Sequence, residues 1–142
     1  MTPKVQAKRT EHAAGAKIIL VGHCIPDSGH LRMTIQSADP QAQVVRATDE
    51  KDLRHHMASG AGLLLVNRVL DHGYPESEGV ALIARLKSEF PGARCMLVSN
   101  FPEAQAAAVG AGALDGFGKR ELGSARVVNL LRQALAKVSA SS

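Results

Sequence analysis

The chain is poor in aromatic side chains. It has three Phe, one Tyr and no Trp, 3% of its 142 residues. That argues against the stacking platforms on which single-stranded nucleic-acid binding depends. With apolar residues at 45%, the core has to be built from Leu, Val, Ile and Ala. Long hydrophobic runs are also missing: nothing approaches the roughly 18 consecutive apolar residues that cross a bilayer. The N-terminus carries Lys4, Lys8 and Arg9 but no apolar segment behind them, so no secretory signal is expected. Cysteine is scarce. Cys24 and Cys95 are far apart in sequence, and without an export signal they read as free thiols of a cytoplasmic protein. Net charge is only +4, part of it in the N-terminal segment, which gives little support to a nucleic-acid role.

The most continuous apolar run is Ala61-Gly62-Leu63-Leu64-Leu65-Val66-Asn67. It is short, opens near a glycine and stops on an amide, as a parallel strand buried on both faces does. Residues 62–66 are expected as the central strand. Similar runs mark strands at 17–22, 43–47, 94–99 and, more weakly, 113–117. Between them, helical patterns are expected over about 30–37, 50–58, 76–90, 103–109 and 124–138. Asp27 or Ser28 would cap the first helix and Thr48 or Asp49 the second. Strand–helix alternation over a length suited to one domain predicts a single doubly wound (βα)5 α/β domain. Its flavodoxin-like parallel five-stranded sheet would have the order 2-1-3-4-5. The domain is expected over 17–138, with disordered tails at 1–16 and 139–142. Ligands of such sheets sit beyond the carboxyl ends of the strands, so attention falls on Asn67.

Four segments carry a resemblance to a known family. Leu63 to Asn67 resembles a strand that ends in a phosphoacceptor aspartate. Pro75 and Gly79 resemble the Pro and Gly that follow it. Met96 to Asn100 resembles a strand ending in Thr or Ser. Gly112-Ala113-Leu114-Asp115-Gly116-Phe117-Gly118-Lys119 resembles a Gly-Ala segment leading to a lysine. The chain in this way resembles the CheY-like receiver domains of response regulators, over roughly 17–138. The resemblance implies a role in two-component or phosphorelay regulation through protein partners. It also implies a contact face, often for homodimers, on the last two helices and the fifth strand. No attached output domain is expected.

The departures are chemical. The acidic pair that holds Mg²⁺ in the family is matched by Gly22 and His23, and the phosphoacceptor by Asn67. The switch aromatic is matched by Gly116, and the proline after the lysine by Arg120. Ser99 and Lys119 are the retained positions. An amide is not a useful nucleophile, and Mg²⁺ needs oxygen ligands that neither Gly22 nor His23 offers. A degenerate, non-catalytic receiver that needs no cofactor is therefore expected.

Two alternatives stay open. Asp71 has the family's spacing to Pro75 and Gly79 without a gap, which would make it the phosphoacceptor and place Asn67 and Arg68 inside the strand. Mg²⁺ would then need Asp71 or Asp27 to complete a site. Alternatively, His23, Cys24, Asp27, Asp71 and His72 all fall at one sheet edge and could form a zinc site or a small enzyme centre, although their spacing fits no standard ligand motif.

Overall fold

The computed structural model describes residues 15–60 and 62–141. Five strands form one parallel sheet: β1 (Lys17–Val21), β2 (Gln43–Ala47), β3 (Leu63–Asn67), β4 (Cys95–Val98) and β5 (Leu114–Phe117). Their order is β2-β1-β3-β4-β5, the expected one. Five helices connect or follow them: α1 (Ile25–Ala38), α2 (Glu50–Ala58), α3 (Gly79–Glu89), α4 (Pro102–Gly110) and α5 (Ala125–Ser141).

The period-two alternation of strand side chains divides the core into two layers. Ile18, Leu20, Leu63, Leu65, Met96 and Phe117 face α1 and α5, where Leu31, Ile35, Val127 and Leu131 meet them. Ile19, Val21, Leu64, Val66, Cys95 and Leu97 face α2, α3 and α4, where Leu53, Leu82, Ile83, Leu86 and Ala108 close the layer. A strand buried on both faces has no polar alternation to display, which is why β3 reads as an unbroken run. Cys24 is exposed and Cys95 buried, and the two are unbonded.

Four expectations need correction. Helix α1 starts at Ile25, five residues before the expected His30, with Cys24 at its N-cap. Pro26 and Gly29 look like loop formers, but proline is at home in a first helical turn because its missing N–H has no partner there. Asp27 and Ser28 therefore lie inside the helix and do not cap it. Helix α3 starts at Gly79 instead of Glu76, because residues 68–78 are held in a folded loop. Ala16, assigned to the tail, is buried in the core, and its carbonyl accepts from the Gln43 N–H at 2.9 Å. At the other end α5 continues to Ser141, past the expected tail boundary. The rest of the N-terminal tail, residues 1–14, and residue 142 lie outside the described residues. The second cap resolves to Asp49, whose side chain accepts from the Asp52 N–H at 2.8 Å.

Gly79 positions the functional edge. A Cβ there would overlap the main-chain carbonyl of Asn67, so only glycine lets α3 begin directly against the end of β3. Gly79→Ala is expected to cost about 1–3 kcal/mol through forced displacement of that junction. Gly92, whose Cβ would meet open space, should tolerate alanine within about 0.5 kcal/mol. Urea denaturation of the two variants checks this; equal stabilities would contradict it.

Candidate functional site at the carboxyl edge of the sheet

Asn67 is the last residue of β3 and pairs in register with Val98. Its Nδ2 donates to the Gly22 carbonyl at 3.1 Å and to the Val69 carbonyl at 3.0 Å. Its Oδ1 accepts from Lys119 Nζ at 3.3 Å. Two carbonyl acceptors on one side and an ammonium donor on the other fix which amide atom is nitrogen. The side chain thus ties the end of β1 to the loop after β3. A carboxylate at this position would set an acceptor-only oxygen against two carbonyl oxygens.

Lys119 follows β5 in a 3₁₀ turn, Lys119–Glu121. Its Nζ also donates to Asp27 Oδ2 at 2.6 Å. Asp27 stands in the first turn of α1, where the helix dipole favours a negative charge. The Lys119 ammonium holds the Asp27 carboxyl below its usual pKa. Asp27 and Lys119 are both about one-third exposed, so solvent screens the pair.

Gly22 and His23 contribute nothing polar from their side chains to this edge. Gly22 has φ +76°, a left-handed conformation costly for other residues. The place of its missing Cβ is filled by Leu70, which is 2% exposed. His23 is 4% exposed, and its Nε2 lies 2.9 Å from the Leu65 carbonyl. Because that partner only accepts, Nε2 carries the proton and Nδ1 is left without a partner. Burial pushes the imidazole pKa down to about 4, so the ring is neutral at physiological pH. The His23 main-chain carbonyl accepts from Arg46 at 3.1 Å.

The loop 68–78 packs down on this edge. Leu70 N–H donates to the Ser77 carbonyl and Gly79 N–H to the Arg68 carbonyl, and Val69 and Glu78 form an antiparallel bridge. The Tyr74 hydroxyl donates to the Ala47 carbonyl, at the end of β2, at 2.7 Å. Burial raises the Tyr74 pKa well above its usual range. Arg85 of α3 links Glu76 in the loop to Glu50 at the start of α2. Asp71 and His72 stand on the exposed part of the loop.

The carboxyl edge therefore gathers Asn67, Lys119, Asp27 and Ser99, with the Cys24 side chain hydrogen-bonded to Asp27; Asp71 and His72 stand on the exposed loop and the His23 ring turns inward to Leu65. Among the described residues no group of three or more His, Cys, Asp or Glu side chains is arranged to hold a metal ion. Ser99 is buried, and its Oγ accepts from the Phe101 N–H at 3.1 Å. Ser99 and Lys119 line one pocket, but the bonds of Lys119 go to Asp27 and Asn67.

Sequence reasoning did not see how several residues come together here. Arg68, Asn100 and Phe101 line the same pocket of about 260 Å³, and the Arg68 guanidinium lies 4.7 Å from the centre of the Phe101 ring. Gln105 reaches under β5: its Nε2 donates to the carbonyls of Leu97, Ser99 and Phe117. A Cβ on Gly116 would overlap the Leu97 carbonyl and crowd Gln105 Oε1, so a side chain there conflicts with this packing. The β4–β5 pairing is irregular at this point, and Phe117 turns into the core. A residue pair such as Arg68–Phe101, 33 positions apart and each in a loop, leaves no local signal.

No family model and no curated protein matches the sequence. Solved structures do match. The receiver domain of an HD domain-containing protein from Pseudomonas fluorescens Pf-5 superposes with a TM-score of 0.70 at 21% identity, over 89% of this chain and 91% of that one. The signal receiver domain of a DNA-binding response regulator protein (merR) from Colwellia psychrerythraea 34H gives 0.67 at 15% identity, over 85% and 98%. NtrX from Brucella abortus gives 0.69 at 20% identity over 89% of this chain, which spans only 28% of that protein. The chain has the fold of receiver domains.

The neutral imidazole makes a prediction. His23 titrates near 4 in the fold against 6.5 unperturbed, so between those values the unfolded chain binds more protons. Stability is complete above pH 6.5 and falls as pH drops towards 4, by about 3 kcal/mol for this group. Asp27, its pKa depressed, loses its contribution only at lower pH. Chemical denaturation at pH 7 and pH 4 should show a smaller acid loss for His23→Gln, by about that amount. An identical loss in variant and wild type would contradict the assignment.

Proposed function

We propose that the chain is a receiver-like signalling module of the two-component or phosphorelay kind that acts by binding partner proteins and is not itself phosphorylated. The signalling class is supported by the fold alone. The loss of phosphorylation is carried by one observation: the strand-end side chain is an amide whose nitrogen is engaged by two carbonyls, Gly22 and Val69. An acyl phosphate needs a carboxylate nucleophile at that place. The residues present also do not fit Mg²⁺. The space that an acid in place of Gly22 would enter is occupied by Leu70, and the carboxylate at this edge, Asp27, is already ion-paired with Lys119. Phosphoryl transfer without a cation to balance the phosphoryl oxygens loses most of its stabilisation.

In this reading the protein is non-catalytic, needs no cofactor and works in the cytoplasm. It acts by contact with protein partners, with α4, β5 and α5 as a candidate face for a homodimer. No helix among the described residues is long and apolar enough to cross a membrane. Asp71 is the rival phosphoacceptor, and Asp71→Ala discriminates between the two. Intact-mass spectrometry after treatment with acetyl phosphate and Mg²⁺ should show no added phosphoryl group on the wild-type protein. The Asn67→Asp variant should also remain unlabelled, since it regains a carboxylate but no metal site. An adduct on the wild type that disappears in Asp71→Ala would overturn the proposal.

A further inference from the structure

We infer that the pocket between the ends of β3 and β4 receives an acidic side chain, Asp or Glu, of a protein partner. This rests on the reading of the chain as a partner-binding module and names what its carboxyl edge recognises.

The pocket holds two cationic groups, Arg68 and Lys119, together with Asn100 and the Ser99 hydroxyl. Donors outnumber free acceptors. Asn100 Oδ1 is used by the Arg120 N–H, which leaves its Nδ2 as donor. Ser99 Oγ accepts from the Phe101 N–H, which leaves its O–H to donate. Lys119 uses N–H groups on Asp27 and Asn67 and, with three in all, keeps one. Among the described residues lining the pocket there is no carboxylate. Stacking on Phe101 orients the planar Arg68 fork, which matches a carboxylate.

Size and rim point to a side chain. About 260 Å³ is less than the ~300–1,000 Å³ of sites for drug-sized ligands and cofactors. Val69 and Phe101, both lining residues, are 42% and 51% exposed. A free ion would leave those apolar groups wet, whereas a peptide anchored by its carboxylate covers them and gains from their burial.

The test uses the full chain, ¹⁵N-labelled, and no phosphodonor. The probes are the blocked tripeptides Ala-Glu-Leu and Ala-Gln-Leu, with inorganic phosphate as the competing anion. The Glu peptide should shift the amides of Arg68, Val69, Asn100 and Phe101 saturably and bind about five- to tenfold tighter than the Gln peptide. Arg68→Gln should remove that preference, while Arg132→Gln, the loss of an equal charge on α5, should preserve it. Equal binding of the two peptides, shifts elsewhere on the surface, or a response to phosphate without one to the Glu peptide would each overturn the inference. The readout is independent of acetyl-phosphate labelling: a phosphoryl adduct sinks the pseudo-receiver reading, and an unlabelled protein without peptide preference sinks only the acidic-anchor inference.

Discussion

The functional edge depends on the Asn67 amide. Its two N–H bonds reach Gly22, just after β1, and Val69 in the loop after β3, and its oxygen reaches Lys119 beyond β5. One side chain thereby ties together three segments that the sheet brings to one end. Each bond is worth about 1 kcal/mol net, and their value is mainly geometric: they set where Gly22, Val69 and Lys119 stand. Aspartate has nearly the same shape but no N–H, so it would break the first two contacts and strengthen only the third. The residue type follows from the contacts, and an amide at this position is not a useful nucleophile.

The loop 68–78 depends on that anchor and completes it. Leu70 fills the space beside Gly22, contributing about 2 kcal/mol of apolar burial. Tyr74 bonds the end of β2, and Glu76 meets Arg85. The loop is thus packed at its start, middle and end, and the start of α3 at Gly79 is packed against Asn67 by close contact. An edge built in this way has apolar volume where a cation would need oxygen. What it offers instead lies one step away, between β3 and β4: a pocket of donors beside an exposed aromatic ring.

The strands and their order were legible because a parallel sheet covered on both faces writes its strands as short unbroken apolar runs, and the right-handed crossover rule leaves few ways to arrange five of them. Asn67 was legible as an edge residue because it ends such a run, whereas Ser99 and Lys119 were singled out by the resemblance to receiver domains. Other features were not. Pro26 and Gly29 imitate a loop in composition, while the first turn of α1 accepts both. Leu70, in a two-residue apolar pair with Val69 between polar stretches, gives no periodic signal; it fills the space beside Gly22, 48 positions earlier. The His23 ring was placed by sequence at the edge but turns inward to bond the Leu65 carbonyl, a choice made by tertiary packing. Gln105 and Gly116 depend on each other across the β4–β5 irregularity, and neither reveals the other in sequence.

The proposed function rests on an edge that holds apolar packing beside Gly22 and a fixed amide at Asn67. Magnesium titration followed by amide chemical shifts tests it most directly. The account predicts no saturable shift at Gly22, His23, Asn67 or Val69 up to about 10 mM Mg²⁺, because the carboxylate at this edge, Asp27, is paired with Lys119 and Gly22 and His23 offer no side-chain oxygen to so strongly hydrated an ion. Saturable shifts centred on Gly22, Asp27 and Asn67 in that range would contradict it.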